Sequence, residues 1–121
     1  MRKAELEERA TLRLSLGGGI RHRLATLIAA EVALEKDYHL EDTTTWRGGK
    51  AIPDLVLSKN GRNWKDRKSW WLEVIDTHDP RKEWALRGYS VEDVWTLDIS
   101  DLPDSPTFLG QVYERALKVI V

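Results

Sequence analysis

The chain has 121 residues, 41% of them hydrophobic and 32% charged, which supplies one packed core and excludes a disordered tail. Its formal net charge of −1 excludes nucleic-acid binding through overall charge, so any such contact must come from a local basic patch. The absence of cysteine excludes disulfides and thiolate metal centres.

The most apolar stretch, residues 24–34, is interrupted by Thr26 and Glu31, so no membrane span is expected. Met1-Arg2-Lys3 leads into AELEERA rather than an apolar run, so no signal peptide is expected and a cytoplasmic protein is. In KAELEERATLRLSL, Leu6, Ala10 and Leu14 share one stripe and predict a helix that Gly17-Gly18-Gly19 ends. Residues 1–19 thus read as a helical arm with a glycine linker, and residues 20–121 as the folded domain.

IRHRLATLIAAEVALEK predicts the strongest helix, its turns marked by Ile20, Leu24, Leu27, Ile28, Val32 and Leu34 or Glu35. YHLEDTTTW leans towards a strand and RGGK towards a turn. AIPDLVLSK predicts a second strand, Asn60-Gly61 a hairpin, and SWWLEVIDT a third strand apolar enough to be central. Asp79-Pro80 opens a helix as cap and first residue, and Gly88 closes it. VEDVWTLDI is a fourth strand. Ser105-Pro106 opens a last helix with a stripe of Leu109, Val112, Tyr113, Ala116, Leu117 and Ile120. Gly110 inside it costs about 1 kcal/mol, which points to close packing or a later start. The order predicts an α/β fold: a four-stranded sheet flanked by helices, with extra helices at both ends.

Asp54 and Glu73 fall on neighbouring strands. Alternation sets Asp54 with Ile52 and Val56, and Glu73 with Trp71, Ile75 and Thr77. A carboxylate in such an apolar run is costly unless paired or bound to a cation. Two of them on adjacent strands can hold Mg²⁺ (or Mn²⁺) with help from carbonyls and water, and the ion can neutralise charge on a phosphodiester. The plainer readings are a turn device after Pro53 for Asp54, and a boundary position for Glu31 on its amphipathic helix.

IPD, a hairpin and then LEVI resembles the PD-(D/E)XK nuclease superfamily, and the element order is similar to its αβββαβ restriction-endonuclease-like core. The likeness covers residues 20–100 by topology, but by residues only Glu31, Pro53-Asp54 and Glu73. WLEVIDTH and RGYSVEDVWTLDI look most similar to competence-protein CoiA-like members, which share a glutamate, a variable residue at the lysine position, and Ser or Thr two further on. The resemblance implies a metal-dependent deoxyribonuclease with Asp54, Glu73 and Glu31 as catalytic ligands, Glu31 from the first core helix. The Ile75 carbonyl is a further expected ligand. Ile75 stands where the family usually has lysine, and isoleucine can neither position water nor offset negative charge. Lys50 and Lys82 are candidates for a migrated lysine.

Lys59, Arg62, Lys65, Arg67 and Lys68 surround Trp64 in the one basic segment, KNGRNWKDRK, an expected DNA contact. Its plain alternative is a solvated hairpin tip. Arg21 and Arg23 follow the glycine run at a helix start that could meet a phosphate, though a flexible joint explains the glycines as well. His22, His39 and His78 show no ligand spacing, so zinc is not expected.

The expected function is a Mg²⁺-dependent DNA endonuclease. The alternatives are a non-catalytic DNA- or protein-binding module of the same fold, in a competence, mobile-element or phage pathway, and an interaction protein whose last helix docks a partner or a second copy.

Overall fold

Ala25, Ile28, Ala29, Val32 and Ala33 recur at three- and four-residue spacing and form the buried face of the first helix, α1 (Ile20–Glu35). The computed structural model describes residues 19–41, 53–60 and 68–121. The expected arm and linker, residues 1–19, lie outside them apart from Gly19, as do Lys50, Arg62, Trp64, Lys65 and Arg67. The stripe on α1 is rotated from the expected one. Leu27 and Leu34 are exposed at 66% and 56%, while three alanines face inward. Alanines let a neighbouring helix approach closely, which bulkier leucines at those positions would prevent.

Four strands follow the expected order: β1 (His39–Leu40), β2 (Leu55–Lys59), β3 (Lys68–Ile75) and β4 (Trp95–Asp98). Between β3 and β4 lies α2 (Arg81–Leu86), and α3 (Phe108–Val119) ends the chain. The sheet order is β1-β2-β3-β4. The first three strands are antiparallel neighbours, and β4 runs parallel to β3 after the α2 crossover. The sheet is therefore mixed and four-stranded, with helices packed on it.

Alternation divides the sheet faces. Leu57, Leu72, Val74 and Leu97 point into the main core with α1 and α3, joined there by Phe108, Leu109, Val112, Ala116 and Ile120. Val56, Trp71, Glu73 and Ile75 point the other way, where Trp71 meets Trp84 of α2 edge-on at 5.6 Å.

The helix ends follow their local chemistry. Asp79 accepts the Arg81 N–H at 3.0 Å, so it caps α2 although Pro80 takes the cap position. Gly88 (φ 91°) closes the helix, with Tyr89 N–H on Trp84 O and Gly88 N–H on Ala85 O. α3 starts at Phe108 rather than at Pro106, which places buried Gly110 in its first turn. Leu109, Val112, Ala116 and Ile120 of its apolar stripe are buried, Leu117 is exposed, and Tyr113 donates to Glu35 at 2.9 Å. The Lys36 ammonium binds the Leu117 carbonyl at 2.6 Å and the Ile120 carbonyl, closing the negative end of α3. No helix among the described residues is long and apolar enough to cross a membrane.

α1 ends in the same motif as α2, with Tyr38 N–H on Ala33 O and Asp37 N–H on Leu34 O, but Asp37 occupies the left-handed position at φ 66°. Asp37→Gly should raise stability by about 0.5–1 kcal/mol, the relieved left-handed strain less the extra freedom of the unfolded chain. Urea unfolding checks this; an unchanged or lower midpoint would contradict it.

A carboxyl pair at the end of the sheet

Leu55 lies across from Leu72, and continuing that register by one residue sets Asp54 across from Glu73. Both belong to the face of Val56 and Trp71, so the two sets that alternation gave separately are one. Pro53, fully buried, holds the entry to β2. The two side chains bind crosswise. Glu73 Oε1 accepts the Asp54 N–H at 2.9 Å, and Asp54 Oδ2 accepts the Val74 N–H at 2.8 Å. These side-chain bonds take up backbone N–H groups just past the last β2–β3 pair, Leu55 with Leu72.

Glu73 is only 7% exposed. Burial foremost, then the hydrogen bond and charge of Asp54, push its pKa from 4.5 up to about 9, with Asp79 adding to the rise. Without a cation, Glu73 thus keeps its proton at neutral pH.

Asp54 Oδ2 also lies 3.0 Å from Nε2 of His22 on α1. Sequence spacing gave no hint of this histidine, because its partner is 32 residues away. Its position one helical turn before inward-facing Ala25 was the only signal. His22, Glu73, Asp76, Thr77, His78 and Trp84 line a cleft of about 400 Å³ at the carboxyl end of β3. That is where open α/β sheets commonly bind ligands. Gly19 (φ 81°), the cap of α1, lines it as well. That cap makes no side-chain bond and the first turn holds no acid, so the positive end of the helix is left to the cleft.

The other expected site residues are placed as follows. Glu31 lies nine residues beyond His22, about 13 Å along the helix and half a turn round it, near Tyr113 rather than the pair. The structure does not bring it to Asp54 and Glu73. The Ile75 carbonyl accepts the Ile99 N–H at 2.8 Å and is a rung of the sheet, while its side chain is buried. Lys82 is exposed, two residues before the inward-facing Trp84 and so almost opposite it on α2. It points away from the sheet that carries the pair.

Arg21 is used internally rather than offered to a phosphate. It donates to Asp76 at 3.2 Å, to Asp104 at 2.5 Å and to the Ile99 carbonyl at 2.8 Å, and lies 4.7 Å from the Phe108 ring centroid. Arg23 and Lys68 are exposed, and Lys59 is half-buried.

The donor chemistry fits a hard divalent cation. Mg²⁺ is commonly bound through one or two carboxylates with water filling the remaining positions, which Asp54 and Glu73 satisfy. Among the described residues no three His, Asp or Glu side chains form a ligand set, and His22 touches the pair through Asp54 Oδ2. Comparison with protein-family models, curated proteins and solved structures finds no match to this chain.

In a chelator, the native state holds a proton on Glu73 that the unfolded chain releases above about pH 4.5. Its contribution is complete below that value and is lost as pH rises towards about 9. Wild-type stability should therefore fall with pH across this window more steeply than that of Glu73→Gln. Equal slopes in urea unfolding at several pH values would contradict the buried proton. Separately, Arg21→Lys should cost about 1–3 kcal/mol, since an ammonium cannot keep the planar fork, while Arg23→Lys should stay within about 0.5 kcal/mol. Equal losses in the two variants would remove the internal role of Arg21.

Proposed function

We propose that the chain is a Mg²⁺- or Mn²⁺-dependent deoxyribonuclease of PD-(D/E)XK type, with Asp54 and Glu73 as the cation's protein ligands. The observation that carries the proposal is the buried Glu73 carboxyl hydrogen-bonded to the chain at Asp54 on the adjacent strand, beside an open cleft. The observed order of strands and helices agrees with the αβββαβ core that the sequence resembles.

A bound cation would supply Lewis acidity and a water of lowered pKa. The chain's own contribution is positional. Asp54 is held by the Val74 N–H and His22, and Glu73 by the Asp54 N–H, so both carboxyl groups are fixed before substrate arrives. The start of α1 directs its positive end into the cleft, where a phosphodiester would enter.

A second reading, a non-catalytic module of the same fold, is favoured by one observation. Among the described residues no lysine lines the cleft, and Ile75 is buried.

Plasmid cleavage in Mg²⁺ and Mn²⁺ separates the two readings. On the first, wild type cuts and Asp54→Asn abolishes cutting. Ile75→Lys should raise the rate by about 10²-fold where no other lysine serves, the scale of a positioned acid–base or electrostatic group. If Lys50 serves instead, Lys50→Ala abolishes cutting and Ile75→Lys lowers it through like-charge repulsion. Cation binding without cleavage in every variant would establish the second reading, and no cation binding would remove the first.

A further inference from the structure

β4 pairs with β3 only from Leu72 onward, so residues 68–71 extend past the start of β4. The overhang opens a groove of about 440 Å³ lined by Lys68, Ser69, Trp70, Glu92, Asp93 and Trp95. It lies at the end of β3 opposite the carboxyl pair.

Its wall is aromatic. The Trp70 and Trp95 indoles stack with centroids 5.6 Å apart and planes 23° from parallel. Buried Tyr38 meets them edge-on at 5.5 and 6.0 Å, which anchors the platform. Both indoles are half-buried. Both indoles line the groove, and an indole there suits contact with another flat ring.

The charges are divided. Lys59 and Lys68 lie directly across from each other, on the face of Trp70. Like charges placed opposite each other destabilise a strand pair, and a phosphate between them removes the repulsion. The Lys59 ammonium lies 4.1 Å from the Tyr38 ring centroid, beside the platform. At the other side of the groove stand Glu92 and Asp93. The Ser90 hydroxyl donates to Glu92 at 2.7 Å and holds its carboxyl below the usual range.

A carboxylate only accepts hydrogen bonds, and the amino group of cytosine donates them. Thymine presents a single N–H between two carbonyl oxygens, which a carboxylate repels. A cationic peptide would suit the acids but would meet Lys68 in the groove and Lys59 across from it. An anionic chain with amino-bearing rings matches lysines, indoles and acids together. A base inside a duplex stack exposes no face to the indoles.

We propose that this groove binds an unstacked, amino-bearing base of single-stranded DNA, with the adjoining phosphate on Lys59 and Lys68. The inference rests on the reading of the chain as a DNA-binding enzyme, and names the strand form and base class that it takes.

The test is tryptophan fluorescence of the full chain titrated in EDTA with oligo-dC, oligo-dT, a duplex and an oligoarginine peptide. Oligo-dC should quench and bind roughly tenfold tighter than oligo-dT, the scale of one base-edge contact, and the duplex should bind more weakly still. Glu92→Gln with Asp93→Asn should bring oligo-dC and oligo-dT together. Lys68→Gln should weaken both oligonucleotides and reduce the salt slope by roughly 0.7. These are surface changes, so folding is preserved. No quenching by either oligonucleotide, quenching indifferent to all three substitutions, or quenching by oligoarginine alone would overturn the proposal. Because no divalent ion is present, this titration reads the groove alone; groove-dependent binding in EDTA together with no plasmid cleavage in Mg²⁺ or Mn²⁺ would sustain the groove and remove the nuclease. Cleavage without groove-dependent binding would do the reverse.

Discussion

At the open end of β2 and β3, two backbone N–H groups and two carboxyl groups are tied crosswise through Asp54, Glu73 and Val74. This tie fixes the register of the two central strands. A slip of one residue would turn Glu73 into the core face of Leu72 and Val74 and bring those side chains out. The same tie keeps Glu73 in its buried position, and burial is the largest cause of its raised pKa. One set of bonds thus serves strand pairing and holds a buried carboxyl whose pKa is raised. A carboxyl pair of this kind costs stability while empty, and a cation that displaces the proton removes the cost.

The frame around the pair depends on Arg21. Its guanidinium spans the start of α1, the end of β3 at Asp76, the end of β4 at Ile99, the loop at Asp104 and the first residue of α3. Four elements therefore converge one residue from His22. The arginine holds α1 at the height that lets His22 reach Asp54. Packing, charge and the cleft are linked through adjacent residues of one helical turn.

Much of this fold was readable from local chemistry. Pro53 and Asn60 bracket β2, Asp79-Pro80 and Gly88 bracket α2, and the apolar run around Glu73 marks the central strand. The Asp54–Glu73 pair followed from alternation on neighbouring strands. What failed to show was long-range. Leu27 and Leu34 looked like core, but α3 packs where alanines allow close approach. Arg21 beside a glycine run looked like a phosphate ligand, yet its acidic partners are 55 and 83 residues away. Glu31 shared a helix with the site but sits half a turn round and more than two turns along. His22 had no spacing to mark it, since its role arises only when α1 docks on the sheet.

The central claim is that the Asp54–Glu73 pair exchanges a buried proton for a divalent cation. Its most direct test is calorimetric titration of Mn²⁺ into the full chain near neutral pH, in buffers of different ionisation heat. The account predicts release of about one proton per bound ion in the wild type, and none in Glu73→Gln. Binding with no proton release, or release unchanged by Glu73→Gln, would contradict it.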